Sequence, residues 1–366
     1  MVGSIVMRRV LGPASMGSLS ILFLIIEYCK ESHLGILQAL DREVPLQTGK
    51  GDFTKVEEIK NAGFNFYFFT TLIISALLFI VFLYMRTWNA DDPILHGFAY
   101  IPMILISYMI ITYFRVISRV QHQFTILSRL NVILAITEAG TTVVFVILWG
   151  LEGVMLSLIL SSIVGGGYLI LKSPSRPKIS LGFLRTKTLR HLLTIGFPLI
   201  IYDAVRMLFL SIDKIMIAFL LGKTSLGIYS VATMVFNFLM PLPKSVFNVI
   251  SPRFYEAYGK NGNIQEVKKY LIAPTLTMAY LFSIFVGIVM ILISPLIYHL
   301  LPQYWSGITA VYILISSTFF YSIIFMWGYL LIAINQQMKM VYFNAVAIIL
   351  SVLLYSLFVT FFDWGI

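Results

Sequence analysis

Two short sets of ionisable residues interrupt otherwise apolar stretches of the chain. Glu27, Lys30 and Glu31 form an i, i+3, i+4 group, and Asp203, Arg206 and Asp213 follow at intervals of three and seven. Both spacings place the side chains on one face of a helix; Lys214 is next to Asp213 in the chain but points about a quarter-turn away. An ionised group near the bilayer centre costs roughly 2.5–3.5 kcal/mol on insertion scales, so those that persist there are candidates for function. The bland alternative is internal neutralisation, in which acid and base pair so that the helix can insert. Arg206 argues against it most strongly, because a guanidinium can hold phosphate oxygens bidentately while still paired to an acid. Arg206, Asp203, Asp213, Lys30, Glu27 and Glu31 are therefore the candidate substrate-binding residues.

The elements that carry them have the composition of membrane spans. Of 366 residues, 59% are hydrophobic and 11% charged, against roughly 25% charged in soluble domains. Apolar runs of about 18–25 residues recur, enough to cross a hydrocarbon layer of roughly 30 Å. The end of a truncated span at 1–11 is followed by spans near 17–40, 64–86, 96–118, 126–149 and 152–171, then near 196–221, 226–250, 271–294, 307–333 and 340–362. Both charged sets fall near the middle of their spans. The net charge of +10 is not a nucleic-acid footprint, because the basic residues collect in alternate loops, which makes those loops cytoplasmic. Arg115 and Arg119, one turn apart at an inner end, are expected to snorkel. Cys29 is the one cysteine, which rules out a disulfide framework or a cysteine metal cluster.

The chain also resembles itself. Leu11-Gly12 with Ser15, Gly17 and Ser20 reappears as Leu221-Gly222 with Ser225, Gly227 and Ser230. Arg42, Gly51, Val56 and Ala62 answer Arg253, Gly262, Val267 and Ala273, and Trp149-Gly150-Leu151 answers Trp364-Gly365-Ile366. A common order at a nearly constant offset of about 210–215 residues marks an internal repeat. An offset of six spans preserves orientation, so the halves are parallel repeats with a path between them. The expected fold class is all-α integral membrane, two six-helix lobes, with about 11 of 12 spans present, the first truncated and the last missing. The lobes are 1–172 and 196–366, joined by a basic linker at 173–195. Lys172 to Arg190 there holds six basic residues and reads as a solvated connection or an interfacial helix touching anionic headgroups.

Catalytic signatures are absent from the sequence. Asp91-Asp92 has no second acidic motif with which to hold a metal. The five histidines are scattered without ligand spacing, and no phosphate-binding Gly-rich loop occurs. The expectation is a transporter rather than an enzyme, in the cytoplasmic membrane, with membrane lipids as partners, no nucleic acid, no cofactor, and Na+ or H+ as candidate coupling ion. Pro102, Pro241 and Pro243, beside Lys244, are candidate kinks.

In Leu11-Gly12-Pro13 with Gly17, Leu34-Gly35 leading to Arg42-Glu43-Val44-Pro45, Gly49-Lys50-Gly51-Asp52, Gly196-Phe197-Pro198, Asp213-Lys214 with Ile217, and Gly222 with Gly227-Ile228-Tyr229-Ser230, the chain resembles the polysaccharide and O-antigen flippase family. That family shares a superfamily with multidrug and toxin extrusion (MATE) transporters. The resemblance spans nearly the whole chain and implies a MATE-like, two-lobed transporter. It would move a polyprenyl-diphosphate-linked oligosaccharide from the inner to the outer leaflet by alternating access, beside a polysaccharide polymerase or glycosyltransferases. The alternative is Na+- or H+-coupled efflux of small molecules, with Glu27, Glu31 and Asp203 as coupling acids.

Overall fold

The computed structural model describes the chain apart from residues 1, 89–91, 174–175, 181, 184–186, 244, 247–263, 334–335, 363–364 and 366. The described residues form helices: α1 (Val2–Lys30), a 3-10 turn (Glu31–His33), α2 (Ile36–Gly49), α3 (Phe53–Arg86), α4 (Pro93–Phe98), α5 (Ile101–Val120) and α6 (Phe124–Lys172). They continue with α7 (Lys187–Leu220), α8 (Gly222–Leu239), α9 (Ile264–Leu300), a second 3-10 turn (Pro302–Gly307), α10 (Ile308–Ala333) and α11 (Gln337–Phe362). Among the described residues there is no strand, and nine helical stretches are long and apolar enough to cross a membrane.

Two of those nine are double. Gly12 breaks α1 at φ 70°, ψ 172°, and Gly150 breaks α6 at φ 58°, ψ −129°, backbone values that a Cβ strongly disfavours. Split at these glycines, the nine stretches become eleven segments, the first of them the short one before Gly12. The all-α, multi-span expectation holds, including the boundary between the spans expected at 126–149 and 152–171.

One expected span is not continuous. The helix expected over 17–40 ends at Lys30, and after the 3-10 turn Leu34 (φ 45°) and Gly35 (φ 83°) are both left-handed before α2 begins. Close packing explains the break. A Cβ on Gly35 would lie 2.1 Å from the Gly196 carbonyl oxygen, and one on Gly196 would lie 2.2 Å from that of Gly35. The two backbones touch where neither can carry a side chain. The break lies beside the middle of α3: Ser32 Oγ is 3.2 Å from Thr71 Oγ1, and the His33 and Tyr67 rings meet edge to face at 5.4 Å.

Contacts divide the chain into two compact units, one of residues 2–11 and 18–204, the other holding residues 12–17 and 205–366. In the first unit α2, α3, α5 and α6 enclose a core around Ile36, Leu40, Ile59, Tyr67, Met109 and Tyr113. The Tyr113 hydroxyl donates to the Lys60 carbonyl at 3.1 Å, which keeps a buried polar group satisfied. The stretch expected as a linker is not simply solvated. Asn61 Oδ1 accepts from Lys178 N, Asn65 Oδ1 accepts from Ser180 N, and Asn65 Nδ2 donates to Lys178 O, each at 2.7 Å. Both asparagines are buried on α3. α7 then starts at Lys187, inside the expected linker, where the Lys55 ammonium donates to Thr188 Oγ1 at 2.8 Å.

The second unit shows the repeat in three dimensions. Gly12 and Gly222, matched in the sequence, both have left-handed φ, 70° and 82°. Five residues on, Gly17 and Gly227 make reciprocal contacts. A Cβ on Gly17 would fall 1.7 Å from the Lys223 carbonyl oxygen, and one on Gly227 would fall 1.8 Å from that of Pro13. Arg253, Gly262, Trp364 and Ile366, which extend the match, lie outside the described residues, as do Asp91, Lys244 and parts of the linker including Arg185.

Candidate functional site

The end of α1 lines a cavity of about 270 Å³ inside the first unit, whose walls also come from α5 and both halves of α6. Four of its lining side chains are ionisable, Glu27 and Lys30 from α1, Arg115 from α5 and Glu138 from α6, with Tyr108, Ser161 and Ser162 between them. Among the described residues, none of the ion pairs within 4.0 Å involves any of these four. The Lys30 ammonium lies 4.0 Å from the centroid of the Tyr108 ring. Arg115 Nε is buried without a hydrogen-bond partner.

This arrangement differs from both expectations for these residues. Internal neutralisation of Lys30 by Glu27 or Glu31 does not occur; Glu31 faces His33 instead, Oε2 to Nε2 3.3 Å. Arg115, expected to snorkel alongside Arg119, turns into the cavity. Arg119 reaches outward to Asp41 at 2.8 Å. Asp41 stands on α2, outside the candidate spans, and burial pushes its carboxyl above the usual range against the pull of Arg119. Tyr108 and Glu138 were not singled out from the sequence. Glu138 is an isolated acid within an apolar segment, the same signal that marked the others, and it lacks a charged neighbour at helical spacing.

The set on α7 is arranged differently. Asp203 belongs to the first unit and accepts from Gln38 Nε2 of α2 at 3.1 Å. Arg206 and Asp213 belong to the second unit. Arg206 is exposed. Asp213 Oδ2 accepts from the Tyr229 hydroxyl of α8 at 2.6 Å, while Oδ1 is buried without a hydrogen-bond partner. Tyr229 itself is buried, so a neutral phenol rather than a cation answers this acid. The structure thus brings Glu27 and Lys30 together around one cavity, has Asp203 and Asp213 accept from Gln38 and Tyr229, and leaves Glu31, on the 3-10 turn, outside the residues that line the cavity.

A void ringed by two acids and two bases that do not touch one another is suited to ligands whose own charges or hydroxyls bridge the gaps. Among the described residues no group of three or more His, Cys, Asp or Glu side chains is placed to hold a metal ion.

Comparison with solved structures recovers the fold. The chain aligns with an inward-facing multidrug resistance MATE family transporter of the MOP superfamily at TM-score 0.72 and 13% identity, over 98% of this chain and 93% of that one. A MOP superfamily transporter from Pyrococcus furiosus Vc1 aligns at TM-score 0.56 and 13% identity over 99% and 92%. A MATE protein in a bent conformation aligns at 0.55 and 13% identity over 98% and 90%. A search of curated proteins finds no match. At these identities the likeness establishes a MATE-like fold and nothing about cargo. The family described as polysaccharide biosynthesis protein matches residues 1–257, well over half of the chain, and this multi-pass membrane protein belongs to that family.

Proposed function

We propose that the protein is a transporter that flips a polyprenyl-diphosphate-linked oligosaccharide from the inner to the outer leaflet of the cytoplasmic membrane, by alternating access, for surface polysaccharide synthesis. The observation that carries the reading is the pair of cations, Lys30 and Arg115, that line one cavity among apolar helices without a carboxylate in contact. Cations held out of contact with any carboxylate in such a place are costly to maintain, and a diphosphate is the anionic part of a lipid-linked sugar. Arg206, exposed on α7, is a further cation proposed for the cargo. Ser161 and Ser162 supply hydroxyls of the kind that sugars exchange hydrogen bonds with. A polysaccharide polymerase and glycosyltransferases are the partners this role calls for.

The deciding experiment reconstitutes the protein in vesicles with fluorescently labelled lipid-linked oligosaccharide. The label is expected to become accessible to an external quencher only in vesicles that contain the protein. The second reading, ion-coupled efflux of small molecules, is favoured by Glu27 and Glu138, two carboxylates on the same cavity that could exchange H+ or Na+. Movement of soluble cations with no movement of the labelled lipid would establish that reading instead.

A further inference from the structure

Lys30 closes α1 with Glu27 one turn behind it and Glu31 immediately after it. A lysine so placed ordinarily settles onto the acid one turn away, and its flexible stem allows it to reach. Here it does not. Glu27 is exposed, whereas the Lys30 ammonium is laid over the face of Tyr108 from α5, 4.0 Å from the ring centroid. A cation over an aromatic face is held more firmly than by an exposed one-turn ion pair. The two placements also differ electrically. A carboxylate would cancel the ammonium's field, while a ring attracts the cation through its quadrupole and leaves the whole positive charge in place.

We propose that Tyr108 is a positioning residue: it holds Lys30 away from Glu27, so that the ammonium, with Arg115 across the same cavity, keeps its charge available for the diphosphate of the lipid-linked substrate. This rests on the function proposed above. The other charged groups lining the cavity are Glu27 and Glu138, and of the acids only Glu27 lies on the helix of Lys30 at a spacing that could capture it. With the ring removed, Lys30 falls back onto Glu27 and the cavity loses half its positive charge. The hydroxyl of Tyr108 is not needed for this task, because the attraction comes from the ring face.

The test is the affinity of the full chain, in lipid nanodiscs at low salt, for inorganic pyrophosphate by calorimetry. Tyr108→Leu is expected to weaken binding about 10-fold and Tyr108→Phe by no more than about 2-fold. In a Glu27→Gln background, where no carboxylate waits for the ammonium, Tyr108→Leu is expected to cost less than about 3-fold. Equal losses for Leu and Phe, or the same loss in both backgrounds, would overturn the proposal and mark Tyr108 as a packing residue. Lys30→Ala separates the two levels of argument. If it leaves pyrophosphate binding unchanged, the anion site itself is wrong; if it weakens binding and Tyr108→Leu does not, only the role of Tyr108 is wrong. The vesicle assay with labelled lipid-linked oligosaccharide is expected to rank the variants in the same order. Variants ranked by pyrophosphate binding but not by flipping would assign the site to free phosphate and overturn its link to the substrate.

Discussion

At the end of α1, Glu27, Lys30, Arg115 and Glu138 surround a void, and none makes an ion pair within 4.0 Å among the described residues. On α7, each acid is taken up by a neutral donor from a neighbouring helix, Asp203 by Gln38 and Asp213 by Tyr229. The first arrangement spaces charge around room for something else. The second gives each half-buried acid a hydrogen bond from a nearby side chain, although Asp213 Oδ1 has none. Similar spacing in the sequence therefore corresponds to two different physical solutions, and what separates them is the partner supplied by other helices.

That contrast can be broken from either side. The largest expected effect is on transport: Arg206→Ala should abolish surface polysaccharide at unchanged protein level, with Arg206→Lys partly active, and normal polysaccharide would remove Arg206 from the site. Next, Lys30→Ala is expected to slow flipping about 10-fold in vesicles, equivalent to about 1.4 kcal/mol, whereas Asp203→Asn should leave the rate within about 2-fold. Equal effects would erase the distinction between the two sets. Tyr229→Phe is expected to act on stability instead, because it removes a hydrogen bond to a charged group, typically worth about 1.5–3 kcal/mol. A lower melting midpoint in detergent with flipping intact supports this; lost flipping with an unchanged midpoint would move Asp213 into the transport machinery. The smallest effect is expected from Gln38→Ala, about 1 kcal/mol of stability, read by the same melting measurement.

Much of the fold was legible because membrane spans are written in composition, a solvent-level property that needs no partner. The repeat was legible for a different reason. Gly12, Gly17, Gly222 and Gly227 are fixed by left-handed backbone or by carbonyls at van der Waals range, and constraints of that kind persist in the residue type itself. The interruption after Lys30 was not read, because Leu34 gives no hint of a left-handed backbone and Gly35 needs it only in view of Gly196. For the site, depth arguments found Glu27 and Lys30 but not Tyr108 or Arg115. An aromatic among 49 Tyr and Phe rings carries no signal of the cation it will meet, and Arg115 beside Arg119 reads as an interfacial pair until the helix orientation is known. Asn61 and Asn65 were missed likewise, since their partners are backbone groups more than one hundred residues away.

The reciprocal crossing of Gly17 on Lys223 and Gly227 on Pro13 bears on how such a chain could arise. Each contact is the other shifted by the repeat, which is the relation found across an isologous dimer, where residue i meets j and j meets i. A half-length ancestor would have made both contacts with two copies of a single glycine, and one mutation there would have spoiled the crossing twice. In a single chain the two glycines are separate positions, each answering to a backbone carbonyl, so the side chains at 13 and 223 can differ, as Pro13 and Lys223 do, while Gly17 and Gly227 cannot take one.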